Sequence, residues 1–364
     1  MGMTDSPSLK TRVKIVLVKT ALLFFVLKSP GCVAPVRIEI PSIPPAVHDI
    51  RPQPGTEAKS LSDYLADLAD TPGDTAVYVM EGEKPGGTVF LAGGTHANEI
   101  AGIMTAVLLV ERAEIRRGKL IVITHANNSA STYLDPRQQE SPRNFDVETS
   151  SGKRSFKIGA RWTHPDHQGE PDPIDDRLPS PEYQWDSVSR NLDRQFPGKA
   201  AGNLTQKIAY AIVELIRTEN VDLAFDLHEA GPESRLAMMI IANPKNTVLA
   251  AEAVLNLELE GLKMKLEESS TDFRGLSHRE WGDATQANAF LIETPSPALD
   301  KKSPGDPVND TEWPLSKRVG VHLASFLAVI EAFNGSVPEN RQIILSNLPS
   351  RDELRKSGIG AYLR

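Results

Sequence analysis

Six short runs along the chain are apolar almost without interruption: TAVYVM (75–80), TVFLAGG (88–94), KLIVITHAN (119–127), VDLAFDLHEA (221–230), RLAMMIIAN (235–243) and NAFLIET (288–294). Most end on turn-forming or polar residues, and several lack the alternation of a half-exposed strand, so they predict strands buried on both faces. Between them the period changes. Ile208, Ile212, Leu215 and Ile216 fall at i, i+4, i+7 and i+8 on one helical face. Leu323, Phe326, Leu327 and Ile330 repeat that kind of spacing, in a helix expected to stop at Asn334-Gly335. Strands alternating with helices predict an α/β fold, a mostly parallel, mixed central sheet with helices on both sides. Sheets of this kind carry their sites in loops at the carboxyl ends of strands.

The pattern lapses in three places. Residues 128–190 have little periodicity and many Pro, Asp, Arg and Ser, which marks a long irregular insertion, read as a lid or specificity segment. Residues 32–55 are rich in proline, which removes donors and fixes φ, and read as an extended linker. The folded domain is thus expected over 56–336, with 337–364 as a tail. In residues 1–31, Lys10, Arg12, Lys14 and Lys19 precede or punctuate the apolar run TALLFFVL (20–27), the order of an export signal or a single membrane anchor. Cys32 follows LKSPG and invites a lipoprotein reading, but Ser29 stands where a lipobox has an aliphatic residue. The expectation is an exported or membrane-anchored, extracytoplasmic protein; the alternative is a disordered extension on a cytoplasmic one.

Composition narrows the chemistry. With 40% hydrophobic and 24% charged residues in 364, the chain is globular rather than disordered. Its net charge of −8 leaves no electrostatic footprint for nucleic acid. Cys32 is the one cysteine, so an intrachain disulfide and a cysteine-based zinc site are both excluded, and a metal must use histidine and carboxylate ligands. No repeat or heptad pattern indicates an oligomeric state.

In VFLAGGTHANEIAG, His96 and Glu99 stand three apart just past a predicted strand, where a helix begins. That spacing on a helical turn places both side chains on one face and supplies two metal ligands. The same spacing recurs at His167 and Glu170, with His164 a further three residues back, inside the irregular insertion. Spacing alone does not choose between them. Context favours the first, because a strand end holds ligands rigidly and the insertion offers no scaffold. His228, which ends the run LAFDLH, is the third ligand candidate.

These residues carry a resemblance. GGTHANEIAG resembles the GGxHGNE signature of the succinylglutamate desuccinylase/aspartoacylase family, zinc hydrolases with a zinc-carboxypeptidase-like fold. In order along the chain, RNLDRQFPG is similar to that family's RDLNRxFPG segment, DLH to its third-ligand segment and FLIETP to its catalytic-glutamate strand. The resemblance spans roughly residues 75–300. It implies one Zn²⁺ per chain on His96, Glu99 and His228, with Glu293 as general base. It also implies Arg194 as a fork for a substrate carboxylate. Arg190, four residues earlier, is placed near the same pocket as a catalytic group that polarises the carbonyl or stabilises the oxyanion, with a surface ion pair to Asp186 or Asp193 as the alternative. Asn191, Asp193 and, from GLSHREWGD, His278 are placed among the substrate-binding residues. The chain departs from the family at Asp193, where an asparagine is usual before the arginine. An aspartate there repels an anionic substrate unless a cation neutralises it.

Together these readings predict a zinc-dependent amidohydrolase that cleaves an amide bond of a small molecule or peptide with a free carboxylate, of the N-acyl amino acid deacylase type. An extracytoplasmic carboxypeptidase acting on peptides or cell-wall fragments is the alternative. A non-catalytic, carboxylate-binding protein on the same zinc fold is the rival from another class. Glu293 speaks against that rival, since a pure binder needs no base.

Overall fold

The computed structural model describes residues 45–134 and 144–364. Readings that fall on residues 1–44, including the signal, the anchor and Cys32, lie outside the described residues.

The described elements start with an edge strand β1 (Glu57–Ser60), then β2 (Ala76–Glu81), β3 (Thr88–Ala92) and helix α1 (Ile100–Arg112). After β4 (Glu114–Arg117) and β5 (Lys119–Ile123) comes a hairpin of β6 (Asn144–Thr149) and β7 (Gly152–Lys157). A single helical turn, α2 (Pro181–Tyr183), precedes α3 (Leu204–Thr218), β8 (Leu223–Ala230) and β9 (Met239–Ala242). Then follow α4 (Thr247–Leu259), β10 (Lys265–Glu268), α5 (Ser277–Ala284) and β11 (Asn288–Pro295). The long α6 (Leu315–Ser336), β12 (Ile344–Ser346) and α7 (Arg351–Ser357) complete it.

All six predicted strands form, within one eight-stranded mixed sheet of order β1-β2-β5-β3-β8-β11-β9-β10. Its centre, β5-β3-β8-β11, is parallel throughout. One face carries α1, α4 and α6 over Phe225, Leu227, Phe290 and Ile292, and the other carries α3 and α5 over Ala224 and Ala289. The central strands are apolar without alternation because both of these layers cover them. From β3 the chain moves outward to β5 and later returns on the other side as β8. The carboxyl ends of β3 and β8 therefore flank a topological switch point, where open α/β sheets form crevices.

Several boundaries differ from expectation. α6 runs past Asn334-Gly335 to Ser336, because the Asn334 side chain is spent clamping the backbone N–H and C=O of Ile343 rather than capping the helix. Residues 45–55 are extended yet packed: His48 stacks on His125 with ring centroids 3.4 Å apart, and Gln53 N donates to Val110 O at 3.0 Å. Residues 337–364 are no loose tail. β12 pairs with β4, Leu354 of α7 is buried, and the Arg364 N–H donates to Glu111 Oε2 at 2.8 Å. The insertion contains the β6–β7 hairpin, so it is ordered in part by strand pairing.

Candidate metal centre

The loop from β3 to α1 is built by its glycines and by one turn. Gly94 has φ +72°, a conformation that glycine adopts without strain. The Glu99 N–H then donates to His96 O at 3.1 Å, closing a turn before α1 begins at Ile100. The three-residue step thus lies on the turn ahead of the helix and not on the helix itself. It still brings the pair together, with His96 Nδ1 2.7 Å from Glu99 Oε1. Gly102 lets the first turn of α1 press against β8, where a Cβ would stand 2.6 Å from Leu227 O. That close approach sets Glu99 Oε2 3.0 Å from His228 Nδ1.

His96, Glu99 and His228 are all buried, and their ligand-type atoms lie within 4.8 Å of one another. A side-chain oxygen stands behind each imidazole, hydrogen-bonded to His96 and in close contact with His228. Asn191 Oδ1 lies 2.9 Å from His96 Nε2 and also accepts the Asp193 N–H at 3.2 Å. A carbonyl oxygen can only accept, so His96 carries its proton on Nε2 and offers the Nδ1 lone pair toward Glu99. Asp226 Oδ2 lies 2.9 Å from His228 Nε2 and directs the second ring the same way. Two Nδ1 atoms thus converge on one carboxylate, a His₂Glu donor set suited to a divalent cation. Without a cation, burial disfavours charge on His228, but flanking Asp226 and Glu99 outweigh it and hold the imidazolium well above its ordinary pKa. Burial likewise raises Glu99, while His96 and His228 overcome it and leave the carboxylate ionised well below its usual range. The residues fit a dication, which would take the place of the proton wedged among buried carboxylates.

Glu293 stands opposite His228 in the β11–β8 register, so both project from the same face at the strand ends. Its Oε2 is buried without a partner. Burial pushes its pKa up to about 8, against the pull of the His228 charge.

The other expected residues sort into two groups. Asp193 is buried beside the cluster, with Oδ1 accepting the Ser277 N–H at 2.9 Å and Oδ2 3.4 Å from Arg194 Nη1. Arg194 keeps partial exposure. His278 is fully buried on the first turn of α5, with neither ring nitrogen hydrogen-bonded, and burial lowers its pKa to about 4. Arg190 does not join them. Its guanidinium donates to Asp186, to Tyr133 Oη at 2.9 Å and to Thr163 O at 2.7 Å, which makes it a buried brace of the insertion. The Asn191 side-chain oxygen is turned toward the His96 ring, 2.9 Å from Nε2.

Sequence reasoning left Arg161 within the lid or specificity segment, with no role at the metal. Backbone bonds Ala97 N to Ala160 O, at 3.0 Å, and Gly159 N to Ala97 O, at 2.9 Å, stitch the insertion to the ligand loop. They bring Arg161 Nη1 to 2.9 Å from Glu99 Oε1. No spacing in the sequence announces this. The competing histidines form no centre: His164 and His167 stack at 4.3 Å, His167 Nδ1 is 2.9 Å from Ser129 Oγ, and Glu170 is exposed. Among the described residues, the second grouping of metal-ligating type is Asp193, Asp226 and His228, which shares His228 with the first.

No protein-family model matches the chain, and no curated protein matches it. Solved structures similar to it include a succinylglutamate desuccinylase from Silicibacter sp. TM1040, with 17% identity and TM-score 0.45 over 76% of this chain and 63% of that one. A metallo-carboxypeptidase from Burkholderia cenocepacia shares 11% identity at TM-score 0.47, over 78% of this chain and 66% of that one. The tripeptide-bound cell shape determinant protein Csd4 from Helicobacter pylori shares 13% identity at TM-score 0.46, over 77% and 58%. The chain therefore spans less than two thirds of the length of each.

Proposed function

We propose that this protein is a zinc-dependent amidohydrolase that cleaves an amide bond in a substrate bearing a free carboxylate. The observation that carries the reading is the convergence of His96 Nδ1, Glu99 and His228 Nδ1 at two strand ends, with Glu293 facing His228 across the sheet register. A cation held by these three residues supplies Lewis-acid activation of a water and of the scissile carbonyl.

The chain's own groups do the rest. The unpartnered Oε2 of Glu293 takes a proton from the attacking water and passes it to the amide nitrogen as the C–N bond breaks. Arg161, rather than Arg190, stands where a cation can stabilise the developing oxyanion. Arg194 binds the substrate carboxylate. Only its Nη1 has protein partners among the described residues, so the rest of the fork is left for a bidentate pair. His278 and Asp193 line the same wall.

Small N-acyl amino acids satisfy this arrangement. A peptide substrate is favoured by a separate feature, a cleft of about 330 Å³ between Gly231–Ser234 and Leu299–Lys302, just beyond the carboxyl ends of β8 and β11. Export of the domain, as residues 1–31 suggest, makes peptides or cell-wall fragments the accessible substrates. Metal analysis and hydrolysis of a mixed panel of N-acyl amino acids and short peptides test the proposal, with wild type beside Glu293→Gln. One zinc in both proteins with turnover only in wild type is expected. Absence of bound metal overturns it.

A further inference from the structure

Beyond the three ligands lies a short polar chain that joins the two ligand-bearing segments. Thr95, the residue before His96, is fully buried, and its Oγ1 donates to Asp226 Oδ1 at 2.7 Å. The other oxygen of Asp226 lies 2.9 Å from His228 Nε2. That contact is close but not aligned as a hydrogen bond, and neither atom has another hydrogen-bond partner. A buried donor and a buried acceptor, each otherwise unsatisfied and in contact, are assigned to each other.

The backbone explains the placement. Asp226 and His228 are two apart on β8, so they share a face. Ala92, the last residue of β3, is the register partner of Asp226. The chain leaves β3, turns through Gly93-Gly94 and folds Thr95 back over that partner.

We propose that Asp226 is a positioning residue for the metal ligand His228, and that the Thr95–Asp226 bond sets the separation between the two histidine ligands. This rests on the metal-centre reading above. Carboxylates behind ligating histidines fix the tautomer and raise ligand basicity, and their loss typically weakens metal binding by about 10–100-fold. The two histidines then differ in kind: His96 has a neutral amide behind it, and His228 a carboxylate.

The test is zinc affinity of the full chain by competition with a chromophoric chelator, together with the visible spectrum of the cobalt-substituted protein. Asp226→Ala is expected to weaken zinc by about 10–100-fold and to alter the cobalt bands. Thr95→Val is expected to weaken it by a smaller factor, and Thr95→Ser to restore both affinity and spectrum, which a merely structural defect would not do. If Asp226→Ala fails to fold, Asp226→Asn and the Thr95 pair carry the measurement. Wild-type affinity and spectrum in Asp226→Ala and Thr95→Val overturn the positioning role while leaving the metal centre standing. Two zinc ions in wild type falling to one in Asp226→Ala also overturn it, since Asp226 is then itself a ligand. A wild-type chain that binds no zinc refutes the metal-centre reading instead.

Discussion

Stripping and restoring zinc should move the thermal stability of this protein by an amount that the structure allows to be worked out. In the absence of a cation, Glu99 and Asp226 are buried on either side of His228, an imidazolium, and Glu99 also meets Arg161. A cation bound to the folded state alone stabilises it by RT ln(1 + [L]/Kd), about 4 kcal/mol at a free concentration 1,000 times Kd. Unfolding entropy near Tm is about 2.1 cal/mol/K per residue, which over the roughly 310 described residues gives about 0.65 kcal/mol/K. Tm should therefore rise by about 6 °C when chelator-treated protein is returned to saturating zinc. The assay is a thermal melt at constant ionic strength, with His228→Ala and Glu99→Gln alongside. Each variant removes a ligand, so each should lose most of the shift. A shift below about 1 °C in wild type, or an equal shift in both ligand variants, would refute the assignment of the centre.

Three further outcomes are expected. Glu293→Gln should keep zinc and lose about 10²–10⁴-fold in kcat against any amide that wild type cleaves, as read by steady-state kinetics. Arg161→Ala should cost about 10²–10³-fold in kcat, whereas Arg190→Ala should lower Tm with a smaller kinetic effect, because its donors brace Asp186, Tyr133 and Thr163. Glu219 accepts from Lys59 at 2.9 Å, Tyr64 at 2.7 Å and Lys119 at 2.8 Å. Burial raises its pKa, but the Lys119, Lys59 and Tyr64 hydrogen bonds outweigh that and hold it at about 2, against 4.5 for a free glutamate. A depressed carboxylate contributes stability above its unfolded pKa and loses it as pH falls through the folded one. Glu219→Gln should thus cost about 1–2 kcal/mol at pH 7 in denaturant titrations, with the gap to wild type closing between about pH 4.5 and 2.

The sequence announced what burial dictates. The central strands read correctly because both faces of β3, β8 and β11 are covered, so apolar runs had nothing to alternate with. The edge strands β1 (EAKS) and β10 (KLEE) did not, since edge pairing rather than apolar pattern holds them in the sheet. The β6–β7 hairpin hid for another reason. Val147 pairs with Arg154, a buried arginine whose guanidinium is met by Glu111 at 2.8 Å, and it interrupts the alternation that Phe145 and Phe156 begin. Among the candidate residues, His96 and Glu99 were legible from their spacing just past a strand, His228 and Glu293 as polar residues ending apolar runs, and all four from the order of the motifs. Asp226 was open to the same reading, being two residues before His228 on one strand face. Arg161 was not, because it reaches Glu99 through a backbone link between two loops.

Asp193 shows how a departure from a motif can be absorbed by the fold. An aspartate beside Arg194 ought to repel the carboxylate that the proposed function assigns to the arginine. Its Oδ1 instead takes the backbone N–H of Ser277, the first residue of α5, where the positive end of the helix dipole favours an anion. Burial works against the charge, yet His228, Arg194, His96 and His278 together keep Asp193 ionised below its usual range. The cost to Arg194 is one nitrogen: Nη1 lies 3.4 Å from Asp193 Oδ2, and the same atom donates to the Asp193 carbonyl. The remaining face of the fork stays on the partly exposed side. The negative charge is thereby spent on starting a helix that also carries His278, and the motif's aspartate becomes part of the wall rather than a barrier to substrate.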